Sequence, residues 1–182
     1  MAQEKYLALL RGINVGGNNI IKMSDLKKSF EDMGFSDVST FLQSGNVIFS
    51  APKQDIVKLE KKIEDILSKR FNYKSCIVII SYEQLRDAVK LAPKGFGKDL
   101  LKYRCDVIFL KAPLKSRDAI KEIKTKEGVD EAAAGKDVLY FSRLTAKATQ
   151  SYLPKVIQLP IYKQMTIRNW NTTTKLLALM EK

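Results

Sequence analysis

The stretch Arg11-Gly12-Ile13-Asn14-Val15-Gly16-Gly17-Asn18-Asn19 places three glycines and three asparagines in nine positions. Both residue types tolerate positive φ, so successive backbone N–H groups can turn toward one point and form an anion-binding nest. The helix that follows adds the positive end of its dipole, and Arg11 and Lys22 add full charges. The stretch is not a Walker loop, because no Gly-Lys-Ser/Thr follows, and its glycines lack the spacing of the dinucleotide fingerprint. The same composition also suits a long turn whose asparagines bond their own backbone.

Two further groups could join it. Gln43-Ser44-Gly45-Asn46 is a turn between two strand-like runs, plain hairpin chemistry on its own. Ser44 is not a nucleophile elbow, since Leu42 stands where the first glycine belongs. Arg168-Asn169-Trp170-Asn171-Thr172 holds the only tryptophan. Arg168 and Asn169 could face an anion with Trp170 as a stacking wall. The competing reading has Trp170 filling a core gap and Asn171 or Thr172 capping a last helix.

The chain contains no histidine. That excludes Ser-His and Cys-His nucleophilic pairs, histidine bases and His-ligated metals. Its two cysteines, Cys76 and Cys105, are too few for thiolate zinc or iron–sulfur sites, and both sit in apolar runs that favour core packing. No metal or cofactor is expected. Any catalysis at Ser44 would need a lysine or carboxylate as activator.

The elements that must position these groups follow from periodicity. Tyr6–Arg11 reads as a strand, and Leu26, Phe30 and Met33 as a helix ended by Gly34. Val38–Leu42 and Val47–Phe49 flank the 43–46 turn, Ile56 to Leu67 is an amphipathic helix, and Cys76–Ile80 is a continuous apolar strand. The order β-α-β-β-α-β is that of ferredoxin-like folds. A helix over Tyr82–Leu91 follows, with Ser81 and Gln84 at capping-box spacing. The same order then returns: strand Arg104–Leu110, helix Arg117–Thr125, strands Glu131–Ala134 and Val138–Phe141, a short helix near Pro154–Leu159, strand Met165–Arg168 and helix Thr173–Met180. The expectation is an α+β chain of two ferredoxin-like halves from an internal duplication: residues 1–92, a joint over 93–103, and residues 104–182.

Topology brings two of the motifs together. In a β-α-β-β-α-β unit the first strand ends at the edge where the first hairpin turns, so Arg11–Asn19 and Gln43–Asn46 should converge. Arg11, Asn14, Gly16, Gly17, Asn18, Lys22, Gln43, Ser44 and Asn46 are then one candidate ligand-binding set, with Arg168, Asn169 and Trp170 as a second. Leu7–Leu10, Cys76–Ile80 and Val107–Leu110 are apolar on both alternating sets, so both sheet faces should be covered, the second by the other half. That argues against an open aromatic sheet for RNA bases. Lys94-Gly95-Phe96-Gly97 begins like an RNA-binding motif but fails at Lys98 and lies outside any strand.

The formal net charge is +12 over 182 residues. The first fifty residues are balanced, and the excess is spread along the rest without a run of five like charges. A diffuse surplus of this kind gives solubility and weak attraction to polyanions. The first apolar run is too short for a signal segment and no stretch is long enough to span a bilayer, so a reducing cytoplasm is expected. Oligomeric state is open.

The motifs Leu10-Arg11-Gly12-Ile13-Asn14-Val15-Gly16-Gly17-Asn18, Lys22-Met23, Gln43-Ser44-Gly45-Asn46-Val47-Ile48-Phe49 and Arg168-Asn169-Trp170-Asn171-Thr172 closely resemble a bacterial family, the domain of unknown function 1697. The resemblance implies a duplicated α+β fold with ferredoxin-like halves, and implies no activity. The function expected is binding of a small anionic or phosphorylated ligand, such as a nucleotide, at the Gly/Asn-rich loop. The alternatives are a nucleic-acid-binding module using the diffuse basic surface, and a histidine-free enzyme acting on a phosphorylated or nucleotide substrate.

Overall fold

Short, nearly continuous apolar runs build the central strands, and the helices are tied down by specific caps and carboxylates. The structure, a computed structural model, describes residues 3–182. The chain divides into two compact units, Met1–Glu83 and Gln84–Lys182.

The first unit runs β1 (Gln3–Leu10), α1 (Met23–Asp32), β2 (Ser36–Phe41), β3 (Asn46–Pro52), α2 (Ile56–Phe71) and β4 (Ile77–Ser81). Its four-stranded antiparallel sheet has the order β2-β3-β1-β4. Tyr6, Ala8 and Leu10 project from one sheet face into a core shared with Leu26 and Phe30 of α1 and Leu59, Ile63 and Leu67 of α2. These helical residues recur at three to four positions, as a single buried stripe requires. Leu7, Leu9, Ile48, Val78 and Ile80, on the other sheet face, are buried as well. Asp55 caps α2 by accepting from the Lys58 N–H at 2.9 Å, and Asn72 ends it at φ 49°. The edge strand β4 does not leave its outer donors bare. The N–H groups of Ile77 and Ile79 bond Glu64 and Glu60 of α2 at 2.8 and 2.9 Å, which blunts an edge otherwise open to pairing.

α3 (Tyr82–Lys90) carries the division between the units. The second unit continues with β5 (Tyr103–Leu110), α4 (Ser116–Glu122), β6 (Asp130–Ala134), β7 (Val138–Leu144), α5 (Leu153–Val156), β8 (Met165–Asn169) and α6 (Trp170–Met180). Its antiparallel sheet has the order β6-β7-β5-β8, which repeats the order of the first sheet with each strand in its corresponding place. Ile108, Leu139, Phe141 and Met165 pack on one face against Ala119 and Ile123, near α4, and Leu153 and Val156 of α5. Two short 3₁₀ turns, Thr145–Gln150 and Pro160–Gln164, flank α5 and have no counterpart in the periodicity of the sequence. Pro154 stands in the first turn of α5, where its missing N–H costs nothing.

One boundary differs from expectation. The last helix begins at Trp170, not Thr173, and Asn169, not Asn171 or Thr172, is its cap. The Asn169 Oδ1 accepts from the Thr172 N–H at 2.8 Å. Strand β8 therefore passes into α6 through a single capping residue, which leaves no loop for Trp170 to occupy.

Candidate functional site

The first strand ends at Leu10, and the chain must then reach α1 without a regular element to follow. It does so through five positive-φ residues: Gly12, Asn14, Gly16, Gly17 and Asn19, at 70°, 53°, 59°, 77° and 47°. The Asn14 amide ties this loop down. Its Nδ2 donates to the carbonyls of Ile21 at 2.9 Å and Gln43 at 2.8 Å, and its Oδ1 accepts from the Ile21 N–H at 2.8 Å. Asn19 Nδ2 bonds the Gly12 carbonyl at 2.8 Å. Farther down the same seam, the Leu10 N–H meets the Gly45 carbonyl at 2.8 Å and the Arg11 N–H the Cys76 carbonyl at 2.9 Å.

Loop 11–19 and turn 43–46 thus converge, with Asn14 as the bridge. Gly45 is required there: it sits at φ 77°, and a Cβ would lie 2.7 Å from Ile13 Cδ1 and 2.8 Å from Leu10 Cβ. The bridging also changes what the asparagines do. Asn14 spends both Nδ2 hydrogens on backbone, and Asn46 is fully buried, donating to the Phe41 carbonyl at 2.7 Å and to Ser44 Oγ at 3.2 Å. These two side chains brace the loops, Asn46 from a fully buried position and Asn14 from a half-buried one. Gly16, Gly17, Asn18, Lys22, Gln43 and Ser44 are exposed and Arg11 half-buried. The N–H groups of Gly16 and Gly17 have no hydrogen-bond partner among the described residues. Lys22 is the N-cap position of α1 without a side-chain cap bond, and Asp25 occupies the first turn. Val15 and Ile20 flank the loop tip with 63% and 77% of their surface exposed.

The Arg168–Thr172 motif is split by the strand it stands on. Arg168 is buried, its guanidinium donating to Thr166 Oγ1 at 2.9 Å and to the Ile167 carbonyl at 2.8 Å. Burial pulls its pKa down to about 10. Asn169 projects to the opposite face, as successive strand residues must. The joint role read for Arg168 and Asn169 on one anion is therefore corrected. Trp170 packs edge-on against Phe96 with centroids 5.1 Å apart, and its indole covers Gly97, whose φ is 73°.

Asn169 and Trp170 line something different. Strand β8 pairs with β5 only from Asp106 onward, so β5 runs three residues past it with no strand on that side. The notch left there is a cavity of about 310 Å³, lined among others by Arg104, Asp106, Arg143, Asn169, Trp170 and Asn171. Asp106 is 8% exposed, and its Oδ2 is buried without a hydrogen bond, the nearest cation being Arg143 Nη2 at 3.5 Å. Burial pushes the Asp106 carboxyl above the usual carboxylate range, while Arg143 and Arg104 hold it back. The Arg143 Nε is likewise buried and unbonded. None of these three charged residues was singled out from sequence. A signal existed: Asp106 interrupts the apolar run of β5, and Arg104 sits two positions before it on the same face.

Two four-stranded antiparallel sheets of matching strand order, with helices at corresponding places in the chain, define a two-unit α+β protein. The chain belongs to the family described as protein of unknown function (DUF1697), which matches residues 3–140. It is similar in structure to the conserved bacterial protein SP0830 from Streptococcus pneumoniae, with a TM-score of 0.85 over 100% of both chains and 23% identity. At that identity the likeness concerns the fold. No curated protein matches the chain. Among the described residues, no helix is long and apolar enough to cross a membrane.

Proposed function

We propose that the protein binds a small anionic or phosphorylated ligand, a nucleotide being one such molecule, at the Gly/Asn-rich loop. The observation that carries this is the pair of unbonded, exposed Gly16 and Gly17 N–H groups at the tip of a positive-φ loop braced from behind by Asn14. Gly16 and Gly17 are the central pair of a turn closed by the Asn18 N–H on the Val15 carbonyl at 3.1 Å, and the exposed donors of such a turn can receive an anion. Arg11 and Lys22 add full charges, Asn18, Gln43 and Ser44 supply further hydrogen-bonding groups at the rim, and Asn14 and Asn46 hold the loops in place. Asp25 in the first turn of α1 offsets part of the helix dipole, so the amides and the two cations supply the attraction. The repeated strand order supports reading each unit as a ferredoxin-like half of a duplication.

A thermal-shift series with nucleotides and sugar phosphates at low salt tests the placement, comparing the wild-type chain with Arg11→Ala. A ligand at one hundred times its Kd stabilises by about 2.7 kcal/mol. The expected result is a shift with at least one phosphorylated compound that falls away in Arg11→Ala. An equal shift in the variant, or none with any anion, would overturn the reading.

A further inference from the structure

The notch at the end of β8 belongs to the second unit and has a chemistry of its own. Across the sheet face beneath it, Arg143 of β7 pairs in register with Arg104 on one side and Asp130 on the other, while Asp106 pairs with Asn169. Two arginines thus stand among two aspartates. Asp130 is occupied through Oδ2, which accepts from the N–H groups of Lys126 at 3.0 Å and Tyr152 at 2.8 Å. The Asp130 Oδ1 is buried without a hydrogen bond, and Asp106 has no backbone N–H of this kind on its own buried oxygen. Its Oδ2 is a buried acceptor, the neighbouring Arg143 Nε is a buried donor, and the two residues approach only to 3.5 Å. A native protein rarely leaves two such groups unsatisfied side by side, since each costs the desolvation it has undergone. Both atoms are closed off from the notch, so what a ligand there meets is the remainder of the Asp106 carboxylate and of the Arg143 guanidinium, both of which line it.

We propose that this notch binds a small zwitterion of the α-amino-acid class. Its ammonium is received by the Asp106 carboxylate, its carboxylate by the Arg143 guanidinium, with Arg104 at the exposed mouth and the Trp170 indole as the wall for its side chain. The cavity, about 310 Å³, lies at the small end of ligand pockets and suits a molecule of this size. Opposite charges borne on one carbon match the opposite charges of Asp106 and Arg143, which stand 3.5 Å apart. A simple anion would meet the Asp106 carboxylate, and a simple amine would meet two arginines. Asn169 contributes its Nδ2 at the rim, its Oδ1 being engaged by the Thr172 N–H.

The test uses the full chain labelled with ¹⁵N, titrated with each of the common L-amino acids in turn, and with acetate and ethylammonium as single-charge controls. The expected result is a saturable shift of the Trp170 indole N–H and the Asn169 side-chain amide with at least one amino acid and with neither control. Asp106→Asn should weaken that binding by about tenfold or more, as should Arg143→Gln, because each removes a charged hydrogen bond. Arg104→Ala, altered at an exposed side chain, should keep the fold and weaken binding by about threefold. No shift with any amino acid at about 10 mM, equal binding by acetate alone, or unchanged affinity in the folded variants would overturn the proposal.

Discussion

Asn14→Ala probes how the first loop is held together, and its cost can be worked from the structure. The substitution removes three hydrogen bonds, two donated to the Ile21 and Gln43 carbonyls and one accepted from the Ile21 N–H. Each is worth about 1 kcal/mol net. It also places alanine at φ 53°, where a Cβ costs about 1 kcal/mol relative to the residues that tolerate it. The site is half-buried, so water recovers part of the loss, and the expected destabilisation is about 2–3 kcal/mol. Urea unfolding followed by far-UV circular dichroism reads the total, and amide exchange at Ile21 reads the bridge directly. Asn14→Gly separates the two contributions. Glycine accepts the dihedral but makes no bridge and adds about 0.5–1 kcal/mol of backbone entropy to the unfolded chain. It should therefore fall within about 1 kcal/mol of the alanine variant. If Asn14→Gly restores wild-type stability, the cost lies in the dihedral alone and the bridging argument fails.

Three further outcomes are expected. Asn169→Ala should cost about 1 kcal/mol by removing the α6 cap, with Asn169→Asp recovering most of it in thermal unfolding; a neutral alanine variant would contradict the cap. Gly97→Ala should cost about 2–4 kcal/mol, since it joins a positive φ to a Cβ that would run into Trp170 Nε1 and Cδ1. Tryptophan emission should move with it, and an unchanged spectrum would contradict the contact. Asp106→Asn should alter the pH dependence of stability. The folded carboxyl is raised above its ordinary 3.8 chiefly by burial, so the native state holds its proton longer than the unfolded one. Wild-type stability then falls relative to the variant as pH rises through 3.8 toward the folded pKa, and the gap is constant above it. Parallel profiles for the two proteins would refute the buried, poorly solvated carboxylate.

Periodicity located the strands and most of the helices because both carry their own signal. The continuous apolar runs in β1 and β5 report strands buried on both faces, and the stripe Leu59, Ile63 and Leu67 reports the face α2 buries. The convergence of loop 11–19 with turn 43–46 was legible too, because element order alone places a strand end beside a hairpin turn. The asparagines were ambiguous for a physical reason. An amide that can bind a ligand can equally bind a nearby carbonyl, and which it meets depends on atoms thirty residues away. Asn14 meets Gln43, so it braces the loop.

The second site shows the same limit from the other side. Arg168-Asn169-Trp170 is contiguous in sequence, yet a strand turns neighbours to opposite faces, and Arg168 leaves the group that Asn169 and Trp170 join. Arg104, Asp106 and Arg143 were assembled instead by cross-strand register, which links β5 to β7 and β8 at positions no local pattern announces. The sequence by itself determined the elements, their order, the absence of histidine chemistry and the presence of a Gly/Asn-rich loop, since these depend on residue type and local period. Only the tertiary structure decided which polar groups face one another and which stay unsatisfied, because hydrogen bonding is settled by distances of about 3 Å between residues far apart in the chain.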